Sequence, residues 1–428
     1  MSSQPSDAPQ TDTPQTPAAR KTLTITRLGH LGDAIAETPD GPIYVAMALP
    51  GEVVEDTGEA RITAPKIVTP SEDRVKAPCA HYRACGGCVL QHASEAFVAR
   101  WKAEVVETAL RGQGIEARAS ATLTSPARSR RRAVVTGRRT KKGTLVGFHA
   151  RASDTVIEIP ECQLLDPALM AALPAAHEAT ALGGSRKGEV AFTLTLSDSG
   201  VDMACEGGKE MDTALFTDLA GLAERHALAR ISWNGEAVAT RAPAQQTMGK
   251  ARVQPPSGAF LQATRHGEAA LLEAVKAIVG DAPRIVDLFT GCGTFALPLA
   301  EVSEVHAVES EPAMIRALDA GWRSAQGLKR VTTEARDLFR RPLLPDELDQ
   351  FDVVVLDPPR AGAEAQINQI ALSNTKRVAY VSCNPITFAR DAKRLLAVGF
   401  SLGRLTVVDQ FRWSTHVELV AEFTRGSR

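Results

Sequence analysis

The chain has 428 residues, 44% hydrophobic and 23% charged, the proportions of an ordinary globular protein long enough for two or three domains. No apolar run approaches the length of a membrane span, and the polar, Pro-rich opening MSSQPSDAPQTDTPQTPAAR lacks the apolar stretch of a secretion signal. The expectation is a cytoplasmic protein with no membrane partner and a disordered tail over 1–20, while a net charge of −1 excludes a uniformly basic nucleic-acid binder.

Residues 21–72 alternate short β-like runs, such as LTITRLG and ARITAPKIV, with Gly, Pro and Asp turns. This is the pattern of a small OB-like β-barrel, a fold that often carries single-stranded nucleic acid. A central α+β domain is expected over 73–258. It opens with Cys79, Cys85 and Cys88, and Cys162 lies far downstream in IPECQLL. Seven cysteines in a long intracellular chain, three of them tightly clustered, point to metal binding or catalysis and not to a disulfide framework. Gly86 and Gly87 permit the turn that brings two thiolates to one centre. On chemistry alone zinc is the default for four thiolates, with an iron–sulfur cluster as the alternative. Cys205 and Cys292 read as packing residues.

A helix is expected over Glu95 to Arg111. From Ala117 to Ser153 there are ten Arg and Lys and no Asp or Glu. Such a stripe is an electrostatic footprint for phosphates as readily as a solvated, charge-rich hairpin. The runs RRRAVVTGR, GTLVGFHA and EVAFTLTLSDSGVDMAC read as strands; the pattern assigns this middle region no role.

From residue 259 to 428 the texture changes to alternating helix and strand, the signature of a doubly wound parallel sheet. A helix over His266 to Val279 precedes strands at 284–289, 304–310, 331–338, 351–359 and 377–383. LTVVDQF and HVELVAEF close the domain as a hairpin with an antiparallel edge.

The first strand-to-helix turn contains Gly291, Gly293 and Thr294, a loop whose backbone can approach a nucleotide-like ligand. NAD is the obvious competitor, but Asp287 and Glu309 favour S-adenosylmethionine. Its ammonium, sulfonium and ribose suit carboxylates better than a phosphate cradle does. A helix N-cap before Pro312 is the other reading of Glu309. Asp357 ends the fourth strand in LDPPR, and Cys383 ends the fifth in VSCNP. That thiol is either packing or a nucleophile at the ligand edge of the sheet. Amine and oxygen methylation need no thiol. The C5 carbon of a pyrimidine does, because thiolate addition to C6 makes C5 nucleophilic. A base must then remove the C5 proton; Glu418 in HVEL fits, with His416 as the alternative.

The set DLFTGCGTF (287–295), LDPPRAG (356–362), VSCNP (381–385) and HVEL (416–419) resembles the RNA uracil-C5 methyltransferases. The resemblance implies a class I, Rossmann-like fold using S-adenosylmethionine, with Cys383 as nucleophile and Glu418 as proton-abstracting base. It implies donor-site roles for Gln262, Phe289, Glu309, Asp337 and Asp357 beside the glycine loop. CGGCVLQH (85–92) is similar to the 4Fe–4S segment of the 23S rRNA enzymes of that family, which turns the reading of Cys79, Cys85, Cys88 and Cys162 from zinc to a 4Fe–4S cluster. The N-terminal barrel resembles a TRAM domain. RNA is then the implied partner of a monomer, 23S rRNA ahead of tRNA. Arg130, Arg131 and Arg132 would contact it, Arg132 nearest the target base. The chain departs from the family pattern at Thr264, where Asn is usual, and at Thr290, with Cys292 displaced from the usual Cys-Gly. The competing readings are an amine methyltransferase, which needs no thiol at 383, and a non-catalytic RNA-binding protein.

Overall fold

A computed structural model describes residues 21–426, so the expected tail at 1–20 lies outside the described residues. The chain divides into two compact units, one ending at Arg74 and one beginning at Val75. In the first unit, Thr22–Thr24, Val53–Glu55 and Ile67–Thr69 form one sheet, and Arg27–Leu28, Ala34–Thr38, Gly41–Val45 and Arg61–Ile62 form another. Among the described residues strand pairing is thus divided between two sheets and does not run round one closed barrel. Ile25, Ile35, Val45, Leu49, Val54 and Ile62 supply its buried apolar side chains. The buried Glu52 is satisfied by the Arg74 guanidinium and by the backbone N–H groups of Leu49 and Ser71 at 2.8 and 3.1 Å.

The second unit holds two large sheets. One has seven strands in the order Val156–Glu158, Thr144–His149, Arg132–Arg139, Glu189–Ser197, Gly200–Glu206, Arg230–Trp233, Glu236–Thr240. All pairs are antiparallel except Gly200–Glu206 with Arg230–Trp233, which the helix Thr213–Arg225 connects. The Trp233 ring packs so closely on Gly183 and Gly208 that a Cβ there would lie 2.2 and 1.9 Å from it, which only glycine avoids.

The other sheet has eight strands, in the order Val331–Ala335, Glu304–Glu309, Arg284–Leu288, Val353–Leu356, Arg377–Ser382, Glu418–Thr424, Ser401–Asp409, Ala121–Thr124. The first five run parallel, and Glu418–Thr424 is antiparallel to both neighbours. Its strands read as unbroken apolar runs because both faces are covered. Val286, Val354, Val378 and Tyr380 pack on one face with Leu110, Ile367 and Phe388. Ile285, Val355, Ala379 and Val381 pack on the other with Leu271, Val275 and Leu318.

Two expectations change. The closing hairpin does not end the sheet: Ala121–Thr124 pairs in parallel with Thr406–Asp409 and takes the edge. The helix Glu95–Arg111, placed by sequence in the central domain, packs Val106 and Leu110 into the core of this same sheet. The boundary at 258–259 is therefore not a physical one, since the segment before it completes the layer after it. No described helix is long and apolar enough to cross a membrane.

That helix also carries Lys102, which is fully buried. Its ammonium donates to Asp409 Oδ1 at 2.5 Å and to the carbonyls of Phe411 and His416 at 3.1 and 2.8 Å. Burial lowers its pKa against the pull of Asp409. Removing one partner of such a pair strands a buried charge. Lys102→Met is expected to lower unfolding stability by about 3–5 kcal/mol in urea titration, and adding Asp409→Asn should return part of the loss. A single-variant loss below about 1 kcal/mol, the range of exposed pairs, would show that the pair does not hold the loop.

Candidate active site

Arg284–Leu288 has neighbours that lead away in opposite chain directions, Glu304–Glu309 on one side and Val353–Leu356 on the other. A ligand crevice opens at the carboxyl ends of strands around such a reversal. Phe289, Glu309, Asp337, Asp357 and Cys383 all lie at those ends. The Glu418 strand runs the other way and pairs Leu419 with Ser382, so its first residue, Glu418, sits at the same edge.

The first loop is shaped by left-handed backbone at Phe289, Gly291 and Gly293 (φ +62°, +59° and +99°). It folds back so that the Thr290 hydroxyl donates to Asp287 Oδ2 at 2.6 Å and Gly291 N–H to Glu309 Oε2 at 3.1 Å. Burial pushes Asp287 up to about 7; the Thr290 bond opposes this and the Glu309 charge adds to it. The Asp287 Oδ1 atom is buried without a partner. The N-cap of the helix Pro312–Ser324 is Glu311, whose carboxylate accepts from Ala313 N–H, while Glu309 Oε1 accepts from the N–H groups of Ser310 and Glu311 just ahead of the helix, at 2.7 and 3.1 Å. Thr294 is half-buried beside the loop. Asp337 accepts from Phe339 N–H at 3.0 Å, and that turn brings the Phe339 ring to 5.6 Å from Phe289.

Across the crevice, Asp357, Cys383 and Glu418 share one electrostatic neighbourhood. The Cys383 thiol is half-buried and pushed up to about 11, by desolvation first and then by the Glu418 and Asp357 charges, with Arg360 opposing. Glu418 is buried and pushed up to about 7 by desolvation, against a hydrogen bond from Gln410 and the Arg360 charge. Asp357 keeps some contact with solvent, yet its carboxyl is crowded. Desolvation and the charges of Glu418, Asp287 and Glu309 hold it well above the usual carboxylate range. Gln262 Nε2 donates to Asp357 Oδ2 at 3.3 Å. The VSCNP and LDPPRAG loops are tied together by the Asn384 amide, which donates to the Arg360 carbonyl at 2.8 Å. Arg360 in turn reaches His416 at 3.2 Å, and burial and that guanidinium lower the imidazole's pKa. A neutral His416 that accepts from Arg360 is a poorer proton acceptor than Glu418.

Among the described residues the crevice thus gathers four carboxylates, Asp287, Glu309, Asp357 and Glu418, and the cation Arg360. Such a pocket fits a positively charged ligand, and it repels phosphate. S-adenosylmethionine, with its ammonium and sulfonium, fits this donor set. Asp287, Glu309 and Asp357, with the glycine loop, are the residues that would hold it. Methyl transfer is the chemistry it supplies.

The four expected cluster cysteines form a second neighbourhood. Cys85, Cys88 and Cys162 are buried and Cys79 is half-buried. Burial and the neighbouring sulfurs push Cys88 up to about 12 and raise Cys85 and Cys162. Gly87 N–H points at Cys85 Sγ (3.3 Å) and Leu164 N–H at Cys162 Sγ (3.4 Å). Among the described residues, however, no three His, Cys, Asp or Glu side chains are grouped as a site for a metal ion. The following residues, Val89 and Leu90, both donate backbone N–H to the Trp413 carbonyl, at 2.7 and 3.0 Å.

A family model described as tRNA (uracil-5-)-methyltransferase matches residues 222–424. A Brucella suis protein described as an RNA methyltransferase is 42% identical over 405 residues, 94% of this chain and 98% of its own length. A Halomonas elongata protein, 23S rRNA (uracil(1939)-C(5))-methyltransferase RlmD, is 34% identical over 434 residues, covering 93% of this chain and 88% of that one. The chain belongs to the RNA uracil-5 methyltransferase family. It is therefore a class I, S-adenosylmethionine-dependent RNA methyltransferase. The solved Pyrococcus abyssi tRNA (uracil-54, C5)-methyltransferase, in complex with S-adenosyl-L-homocysteine, shares the fold at TM-score 0.72 and 21% identity, over 94% of this chain and 99% of that one.

The three arginines expected on RNA divide. Arg131 is buried: its guanidinium pairs with Glu268 and its Nε donates to the Gln262 carbonyl at 3.1 Å. It braces the Gln262 segment from behind and, at 3% exposed, does not face solvent. Arg132 donates to the Ala259 and Gly258 carbonyls at 3.1 and 3.2 Å and lies over the exposed Phe260 ring. Arg130 lies over the Phe411 ring beside Cys88 and Cys162. Within the basic stripe, Arg128, Arg138, Lys141 and Lys142 are exposed.

The family departure at Thr264 has a local reason. Its hydroxyl caps the helix Arg265–Val279 by accepting from Gly267 N–H at 2.8 Å, a duty Asn also performs. The sequence reading missed Arg360, Gln410, Lys102 and Asp409. Adjacent polar residues closing the apolar run LTVV were the available signal for Asp409 and Gln410.

Desolvation first, and the Glu418 and Asp357 charges second, thus favour the protonated Cys383 thiol. Glu418→Gln is expected to speed alkylation of Cys383 at pH 9, followed by peptide mass spectrometry, by about tenfold per pKa unit regained. Equal rates in the two proteins would show that the thiol does not feel Glu418.

Proposed function

We propose that this enzyme methylates uracil C5 in 23S rRNA, with Cys383 as nucleophile and Glu418 as base. The observation that carries the reading is a thiol placed beside a buried carboxylate at the donor crevice. An amine methyltransferase has no use for it, and a protein that only binds RNA needs neither group.

The Cys383 proton passes to a neighbouring carboxylate as the thiolate forms, and a cationic ligand in the crevice favours that ionisation. The thiolate sulfur bonds to C6, and the C5–C6 π electrons move onto the C4 oxygen as an enolate. C5 bonds to the methyl carbon as the bond from that carbon to the sulfonium breaks. Glu418, as carboxylate, takes the proton from C5. The electrons of that C–H bond re-form C5–C6, and the bond from sulfur to C6 breaks to release the Cys383 thiolate. A pKa near 7 suits Glu418 to proton abstraction. The group is ionised often enough to accept a proton and basic enough to keep it.

Cys79, Cys85, Cys88 and Cys162 hold a 4Fe–4S cluster in this reading. The sulfurs lie near enough to feel one another's charge, and the likeness of CGGCVLQH to the cluster segment of the 23S rRNA enzymes supports iron and sulfide over a single zinc. The cluster supplies no electrons to methylation; its segment braces the Trp413 loop. The N-terminal unit serves as a TRAM-like RNA-binding module, and the exposed cations of the basic stripe meet phosphate. The similarity to the Halomonas RlmD and the four cysteines support 23S rRNA, and tRNA is the alternative that the test separates.

Anaerobically purified enzyme, S-adenosylmethionine and 5-fluorouracil-substituted 23S rRNA should give a denaturation-stable adduct, because fluorine cannot leave as a proton does. Cys383→Ala should abolish it. An adduct with tRNA alone would move the substrate to tRNA. No adduct with either RNA or with ribosomal precursor particles, from protein that binds the donor, would sink the C5 reading.

A further inference from the structure

Gln410 follows the strand Ser401–Asp409 and is 1% exposed. Its amide orientation is determined by its surroundings. Ala263 N–H donates to Oε1 at 2.7 Å, so the NH2 end must face the other way. There Nε2 donates to Gln262 Oε1 at 2.5 Å and to Glu418 Oε2 at 2.7 Å, which uses both of its hydrogens. Gln262 is itself directed by its bond to Asp357, and its backbone by Arg131. The helix Arg265–Val279 comes close enough for this only through Gly267, where an added Cβ would lie 2.4 Å from the Gln410 Cβ. Lys102 and Asp409 lock the residue before Gln410. A side chain gripped on all sides, with one of its two amide hydrogens on Glu418, is built to hold that carboxylate.

We propose that Gln410 is a positioning residue: its amide presents Glu418 as an oriented carboxylate, with Oε2 committed to the amide and Oε1 left to take the C5 proton. This rests on the assignment of Cys383 and Glu418 as nucleophile and base. The amide acts after carbon–carbon bond formation, so its loss separates two steps that the parent enzyme runs together. An N–H donor favours the charged carboxylate, so without it Glu418 is ionised only at higher pH. The other charged groups facing Glu418 are Arg360 and Asp357 from the loop after Val353–Leu356 and Cys383 from the loop after Arg377–Ser382. Asp287 and Glu309 act on it only beyond Asp357, Lys102 pairs with Asp409 behind it, and His416 lies two residues before it on the same chain. Replacing Gln410 removes none of these groups and reaches Asp357 only through Gln262.

The test uses the full-length, anaerobically purified enzyme with methyl-labelled S-adenosylmethionine and 23S rRNA transcript tritiated at uracil C5. Methyl incorporation reports bond formation, and tritium release reports proton removal. Gln410→Met should leave single-turnover methyl incorporation within about threefold of the parent, a small effect beside tenfold per 1.4 kcal/mol. Tritium release at pH 7 should fall at least about tenfold, and its pH midpoint should move up by about one to two units, the worth of a hydrogen bond to a charged group. A methylated covalent adduct should accumulate. Gln410→Glu, which keeps the shape and adds a like charge, should move the midpoint further in the same direction, and donor binding checks that each variant is folded. Both labels falling together, or an unmoved midpoint in either variant, would make Gln410 a packing residue and overturn the proposal. A parent enzyme that methylates RNA without releasing tritium would instead overturn the C5 reading, and this inference with it.

Discussion

A lysine ammonium sealed from water ties the carboxyl edge of the large sheet to the rest of its unit. Lys102 comes from a helix that precedes the methyltransferase elements by more than a hundred residues, yet it grips Asp409, Phe411 and His416 together. Those three partners bracket the loop between the last two strands. Gln410 lies inside the bracket and Glu418 just beyond it. The cysteine segment is fastened to the same loop, through Val89 and Leu90 to the Trp413 carbonyl. The donor crevice and the thiol centre are therefore two ends of one braced structure. A buried ion pair contributes little net stability compared with an apolar replacement, but it specifies one geometry because any other leaves a charge unpaired.

The second constraint is charge. Asp287, Glu309, Asp357 and Glu418 converge with Arg360 among them, and burial pushes Asp287 and Glu418 up to about 7. Protons share such a site when it is empty, and a cationic ligand can replace them. This is the physical difference between a methyl-donor site and a dinucleotide site on similar strands and glycine loops. Desolvation first and then the same carboxylate charges push the Cys383 thiol up to about 11.

The basic stripe shows how differently a fold treats residues that look alike in sequence. Arg130, Arg131 and Arg132 are consecutive, so on an extended backbone Arg131 points away from its neighbours. It turns inward to Glu268 and the Gln262 carbonyl, while Arg132 stays at the rim with Phe260. Electrostatic footprint and internal brace were superposed in one run of letters, and only the direction of each side chain separates them.

Local chemistry by itself determined much of this protein. The alternation of apolar runs and helices set the doubly wound sheet, because strands covered on both faces must be apolar throughout. That Asp357 and Cys383 close those strands at the carboxyl edge of the sheet was legible too, because the end of an apolar run marks the end of a buried strand. Tertiary structure decided what depends on partners distant in sequence. It placed Ala121–Thr124 on the edge of a sheet otherwise built after residue 284, and it paired Lys102 with Asp409 across 307 positions. It aimed the Gln410 amide at Glu418 and turned Arg131 from a surface cation into a strut. Periodicity records which face of an element is buried. A buried polar side chain answers to the one group that satisfies it, and only the folded chain identifies that group.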